Sequence, residues 1–422
     1  MKDHLSRRRF VQSTGATVAG AALVPSAFGV MPRRRADTIN VGLIGCGGRG
    51  TGAAHNALTA DPDVRIVALA DVFEDRLIGC RGHLEGMGDR GSVRDNACFV
   101  GFDAYRELLR EDVDAVILAT PPHFRPIHLA AAVDANKHVF MEKPVAVDPT
   151  GYRTVINAGA KATASGLGIV AGTQRRHEAS YRAAMQQIHA GAIGEVVAAR
   201  CYWNQGGLWM HQRKDDWCDM EWQLRNWLYF TWLSGDHIVE QHIHNIDVVN
   251  WAMGGPPVRA LGVGGRQART DSAYGHVFDH FAIEFEYPNG EHMLSMCRQM
   301  DGCTPRVEEV ITGTRGRLTT RPGSAMIAGE SPWHFADDNP NPYVQEHVDL
   351  YQSIRAEAPL NEAKTVAEST LTAIMGRLAA YTGQELTWDQ MVDSELDLAP
   401  GTYAFGSLPT PDIAIPGQTP FI

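Results

Sequence analysis

Apolar runs and segments of helical spacing alternate along the chain after residue 38. Residues 39–44 (INVGLI) read as a short buried strand, 51–58 as a helix, and 64–70 as a second strand closed by Asp71. The alternation continues with a helical pattern over 105–110 and a buried strand over 114–120. Pro121-Pro122 ends that strand, a helix follows over about 126–135, and a further strand spans 138–141. Near the other end, 343–356 and 365–381 are amphipathic helices that should pack back on the first domain, with Thr382-Gly383 closing the second. Strands alternating with helices predict an α/β fold with a parallel sheet.

The first strand-to-helix turn carries Gly45-Cys46-Gly47-Gly48-Arg49-Gly50, a GxGxxG pattern in the setting a dinucleotide requires. Gly45 permits the tight turn, Gly47 lets backbone approach a pyrophosphate, and Gly50 allows close helix–strand packing. The phosphates would sit at the positive end of the helix. Asp71 lies 21 residues past Gly50, where an acid accepts bonds from ribose hydroxyls and repels a 2′-phosphate. NAD is therefore favoured over NADP.

Length and charge narrow the rest. A chain of 422 residues exceeds one ordinary core, which predicts two domains. The formal charge is -11, but the first 36 residues hold seven Lys/Arg against Asp3, leaving 31 basic and 48 acidic residues beyond them. A body that acidic argues against nucleic acid or anionic membrane and fits small neutral substrates. Ser6-Arg7-Arg8-Arg9-Phe10-Val11 resembles the twin-arginine export signal, so the protein is expected to use that machinery and reach the periplasm. The following run, interrupted by Gly15, Gly20 and Pro25, is a poor permanent membrane anchor. Seven cysteines without CxxC spacing argue against a complete disulfide framework.

GLIGCGGRG, AVILATPPHFR, HVFMEKPVAV and AGTQRRHEASYRAAMQQIHAGAIGEV together resemble the Gfo/Idh/MocA oxidoreductases, a family that includes glucose–fructose oxidoreductase and inositol dehydrogenase. The likeness runs from Thr38 to about Trp388. It implies a Rossmann domain followed by a larger α/β domain with an open, mostly antiparallel sheet. The division is then a signal and linker (1–36), a Rossmann NAD-binding domain (37–165), a substrate and oligomerisation domain (166–400) and a C-terminal arm (401–422). The resemblance also implies a sugar-type secondary hydroxyl as substrate, a homodimer or homotetramer through the second sheet, and Lys143 beside nicotinamide and substrate with a cis peptide before Pro144. Thr120, Pro121, His123, Glu142 and Lys143 join Gly45, Gly47, Gly48, Arg49, Gly50 and Asp71 as candidate cofactor contacts.

GDHIVEQHIHNID (235–247) is the densest cluster of titratable groups. Family members carry D-x-x-x-H followed by Asp; here Glu240, His244 and Asp247 occupy those places, with His242 where Gly is usual. On a helix, residues 240, 244 and 247 share one face, and His242 lies about 200° from Glu240. On a strand, 240, 242 and 244 would align and could grip a metal. Apolar spacing through IDVVNWAMGG favours the helix, and proton transfer rather than a metal. His244 is then the proton acceptor, Glu240 its orienting carboxylate, and Lys143 the stabiliser of a developing alkoxide. For substrate, Trp209, Trp222, Arg225, Asn226 and Asp247 join Arg175 and Arg176, which follow what reads as the first strand of the second domain. Arg125, where many relatives have His, could alter these contacts.

Export implies a cofactor carried with the protein and restored in each cycle. Hydride transfer to and from a sugar or glycoside is one solution; a redox-neutral glycosidase passing through a transient 3-keto sugar is the other. A non-catalytic sugar or dinucleotide sensor would not require Lys143, Glu240 and His244 together.

Overall fold

Two sheets organise residues 38–421, the part of the chain that the computed structural model describes. The first is built from β1 (Ile39–Ile44), β2 (Val64–Asp71), β3 (Cys98–Val100), β4 (Ala115–Leu118), β5 (His138–Met141) and β6 (Ile169–Ala171). All pair in parallel, in the order β3-β2-β1-β4-β5-β6. Its crossovers carry α1 (Gly48–Ala60), α2 (Glu74–Glu85), α3 (Ala104–Leu108), α4 (Arg125–Asp134) and α5 (Pro149–Ala164). Parallel strands covered on both faces need continuous apolar runs, and Val41, Leu43, Val116, Leu118, Val139 and Phe140 are buried accordingly. Strand order reverses between β1 and β4, which opens a crevice at the strands' carboxyl ends.

The second part begins with α6 (Ala179–His189) and β7 (Val196–Gln205), then α7 (Asp219–Arg225), α8 (Thr231–Ser234), α9 (His237–Glu240) and α10 (Ile243–Met253). Strands β8 (Arg259–Gly265), β9 (His280–Glu286), β10 (His292–Gln299), β11 (Arg306–Gly313), β12 (Gly316–Arg321), β13 (Ser324–Gly329) and β14 (Trp333–His334) follow. The chain returns through α11 (Pro342–Arg355), α12 (Ala363–Thr382), β15 (Leu386–Thr387) and α13 (Trp388–Asp393). The nine-stranded sheet runs β14-β13-β12-β11-β7-β10-β9-β8-β15 and is antiparallel except where β10 meets β7. The fold is thus a Rossmann-type parallel domain followed by an α/β domain with a mostly antiparallel sheet.

Helix α12 joins the two parts. It packs on α5 of the first and on β8 and β9 of the second, and nearly all its residues are buried. Even Arg377 is enclosed, donating to the Val147 and Gly235 carbonyls, so the helix is covered on more than the apolar face its pattern predicts. Gly383, in the left-handed region at φ 70°, closes it.

Two expectations change. The strand at 169–171 pairs with β5 as the sixth strand of the first sheet, so that sheet extends past residue 165 and Arg175 and Arg176 leave its edge. The 237–253 segment is also two helices, not one. The amides of Gln241 and His242 both donate to the His237 carbonyl, which ends α9 before α10 begins at Ile243. The twin-arginine stretch at Ser6–Val11 lies outside the described residues.

Candidate active site

A cleft of about 490 Å³ runs along the carboxyl ends of β1, β2 and β4. Of the predicted cofactor residues, Gly45, Gly47, Gly48, Arg49, Asp71, Thr120 and Pro121 line it, whereas Gly50, Glu142 and Lys143 are not among the lining residues. The glycines fit a dinucleotide for distinct reasons. Gly45 sits at φ +99°, and a Cβ there would stand 2.5 Å from the Thr120 nitrogen. A Cβ on Gly50 would stand 1.8 Å from the Gly45 carbonyl, whereas one on Gly47 meets nothing within 4 Å. The first two glycines shape the turn; the third leaves space in the cleft where backbone can meet phosphate. Helix α1 begins at Gly48, so the unspent N–H groups of its first turn point to the same place. Asp71 Oδ2 accepts from Cys46 N at 2.6 Å and Oδ1 from Phe73 N at 2.8 Å, which ties the acid to the glycine loop. Burial raises its pKa against those two bonds.

Arg49 spans the floor. Its Nε is 2.5 Å from Glu142 and its Nη2 3.1 Å from Glu346 on α11, with Tyr343 beneath the guanidinium. Burial, then the Glu142 charge, push the Glu346 carboxyl well above its usual range. His123 is not among the lining residues. It is buried behind them against Trp232, with Nε2 2.8 Å from the Tyr403 hydroxyl, and burial pushes it down to about 4. Arg125 is fully buried too, donating to the Leu118 carbonyl at 2.9 Å, so its side chain stops short of the cleft.

The peptide before Pro144 is cis, and Lys143 follows β5 at its carboxyl end. Lys143 Nζ donates to Glu240 Oε1 at 3.1 Å and also to the Glu240 carbonyl. The carboxylate therefore holds the lysine instead of the imidazole of His244. His244 stacks on Trp203, with centroids 5.6 Å apart, and its Nδ1 has no hydrogen-bond partner among the described residues. Burial, then the Lys143 charge, hold His244 well below its ordinary value. A buried, neutral imidazole beside an anchored ammonium can accept a proton from a hydroxyl. His242 points elsewhere: its Nε2 is 2.8 Å from Ser295 Oγ in the core between helix and sheet.

The substrate candidates divide by location. Trp209 and Arg225 line the cofactor cleft. Arg225 bonds Asp75 at 3.0 Å and lies 3.9 Å over the Phe73 ring. Asn226 is fully buried and spends its amide on His211 N and the Ala273 carbonyl, and Trp222 donates to the His211 carbonyl. Arg176 grips Asp247 through both carboxylate oxygens, and Ser369 donates to the same acid. Arg175 pairs with buried Glu309 directly behind Trp203. Sequence reasoning missed Phe73, Arg76, Phe102, His211 and Trp227 in the cleft, and Trp203 against His244. Phe73 and Arg76 follow Asp71 closely enough to have been found; the others depend on contacts far apart in sequence. All seven cysteines are unbridged, and no helix among the described residues is long and apolar enough to cross a membrane.

Known proteins share this fold. The profile described as "Oxidoreductase family, NAD-binding Rossmann fold" matches residues 39–165, and the GFO/IDH/MocA C-terminal domain matches 181–319. Inositol 2-dehydrogenase 3 of Saccharopolyspora erythraea is 27% identical over 60% of this chain and 64% of its own length. A glycosyl hydrolase family 109 protein of Shewanella amazonensis is 34% identical over 33% of this chain and 34% of its own. Such matches span between a third and two thirds of the curated relatives' length. The structure of aldose-aldose oxidoreductase from Caulobacter crescentus superposes with a TM-score of 0.66 at 18% identity, covering 83% of this chain and 99% of that one.

Proposed function

Given that the chain belongs to the Gfo/Idh/MocA oxidoreductase family with an NAD-binding Rossmann domain, we propose that it transfers hydride between a retained NAD and a secondary hydroxyl of a sugar or glycoside. The observation that carries this reading is the Lys143–Glu240 pair beside a neutral His244. His244 accepts the hydroxyl proton, and the Lys143 ammonium, anchored by Glu240, balances charge growing on the same oxygen. Bound nicotinamide supplies the hydride acceptor. Asp71 at the end of β2 supports NAD over NADP. The twin-arginine motif at Ser6–Val11 supports export to the periplasm.

Assembly as a homodimer or homotetramer is supported by the second sheet. Register places Met326, Thr319, Val310, Arg200, Leu294, Glu284 and Leu261 in one lateral row across it. Met326, Leu294 and Leu261 are 52%, 41% and 48% exposed, apolar positions set among Arg200 and Glu284 on an open sheet face that a second copy would cover.

The likeness to a glycosyl hydrolase family 109 protein favours a second reading, a redox-neutral glycoside hydrolase passing through a transient 3-keto sugar. One experiment separates them. Protein purified without added cofactor is mixed with a panel of glucosides and galactosides, and the absorbance of reduced nicotinamide is followed. Reduction that persists until a keto-sugar is added supports the oxidoreductase. Aglycone release without lasting reduction supports the hydrolase, and neither response overturns both.

A further inference from the structure

The β2–β3 side of the cleft is walled by Phe73 and Phe102, beside the acid that closes the second strand. In a doubly wound sheet this is the adenosine end of a dinucleotide. Both rings carry a second layer. Phe405 packs on Phe73 with centroids 5.9 Å apart and on Phe102 at 5.3 Å. Tyr403 packs on Phe102 at 6.4 Å and Phe124 at 5.7 Å, and its hydroxyl is bonded to His123. From the facing side Arg225 covers Phe73 and bonds both oxygens of Asp75, while Trp209 and Trp227 complete the wall.

The C-terminal arm and α7 behave as one block. Met220 N donates to the Gly406 carbonyl at 3.1 Å, Leu408 N to Asp219 Oδ2 at 3.0 Å, and Gln223 Nε2 to the Leu408 carbonyl at 2.6 Å. Upstream, Leu398 N donates to Asp148 Oδ2 at 2.9 Å, at the start of α5. The arm is therefore pinned to the first domain at one end and to the second at the other. Residues near a chain terminus stay ordered only when tied down in this way.

We propose that residues 398–408 and α7 form a clasp that encloses the adenosine half of the dinucleotide and keeps it bound from one turnover to the next. The inference rests on the dinucleotide reading above, and it names Tyr403, Phe405 and Arg225 as the residues that govern release. Phe405 from behind and Arg225 both bear on Phe73 and hold that wall in place, so release is slower than from an open crevice.

The test loads the whole protein with NADH and follows its transfer to an excess of a trapping dehydrogenase. Wild-type protein should keep NADH through gel filtration. Phe405→Ala should release it about tenfold faster, the change expected from losing two aromatic pairs. Tyr403→Phe, which keeps the ring and loses the His123 bond, should give a smaller increase. A measurement on the wild-type chain guards against misfolded variants: bound NADH should protect the arm from limited proteolysis, and a nick between 398 and 408 should speed release. Release on mixing from wild type, or rates unchanged by Phe405→Ala and by the nick, would overturn the clasp. Failure of wild type to bind NADH at all would instead overturn the cofactor reading beneath it.

Discussion

Lys143 Nζ stands 3.1 Å from Glu240 Oε1 and also donates to the Glu240 carbonyl, so one ammonium joins the end of β5 to the end of α9. Two elements from different domains thereby share one site. Glu240 spends its carboxylate on the lysine, while His244 Nδ1 has no partner among the described residues. Lys143→Met should lower kcat by about 10² to 10⁴, the usual worth of positioned proton and charge help. Glu240→Gln should lose less, with KM changing little. Steady-state kinetics check this; a rise in KM alone would assign the pair to ground-state binding.

On the proposed mechanism, His244 sets the acidic side of the pH profile. A base works only when deprotonated, and burial with the Lys143 charge lowers its pKa below the ordinary 6.5. The neutral form therefore persists as pH falls. We expect kcat/KM to stay flat through pH 6.5 and to drop only at more acidic values. An acidic limb centred at or above 6.5 would remove His244 from the role of base.

A second histidine bears on stability. His177 Nδ1 is 2.6 Å from Asp349 Oδ2 and its Nε2 is 3.3 Å from Glu362. Burial alone pushes it down, but the bonds to those acids outweigh this and raise it to about 9. The folded value lies above the unfolded one, so the stabilisation is full below about 6.5 and fades as pH rises through about 9. Its size is at most about 3 kcal/mol. Denaturant unfolding of wild type and His177→Gln should differ clearly at pH 6 and converge above pH 9. A constant difference would mean that the charge plays no part.

The glycine loop gives a paired prediction. Gly50→Ala places a carbon 1.8 Å from the Gly45 carbonyl and should destabilise the fold by about 1–3 kcal/mol, the range for overpacking. Gly47→Val meets no protein atom within 4 Å at its Cβ and should fold normally but weaken NADH binding. Thermal melts and fluorescence titration separate the two. Equal binding by Gly47→Val would place the phosphates elsewhere.

Arg175 is 1% exposed and Glu309, its partner, also accepts from Tyr181 at 3.1 Å and Thr320 at 2.7 Å. Arg175→Met strands a buried carboxylate and should cost about 3–5 kcal/mol in unfolding free energy. A stable variant with a raised KM would instead put Arg175 on the substrate.

Much of the frame was legible because local chemistry determined it. The apolar run 39–44, the GxGxxG turn and Asp71 predicted β1, α1 and the end of β2, since a parallel strand, a tight turn and a helix start each impose their own residue types. The run at 138–141 with its EKP ending did the same for β5 and Lys143. Near the other end, the two amphipathic patterns predicted α11 and α12 to within a residue or two at each end.

What only the tertiary structure decided is which side chains meet. Periodicity put Glu240 and His244 on one helical face, but both the Gln241 and His242 amides turn to the His237 carbonyl, and the face is broken. Arg176 and Asp247, 71 residues apart, neutralise each other, and Asn226 spends its amide on backbone. Residue type says what a side chain can bind, whereas burial leaves it only the partners that folding brings within reach. For the same reason Phe405 reaches Phe73 across more than three hundred residues, a contact no local pattern encodes.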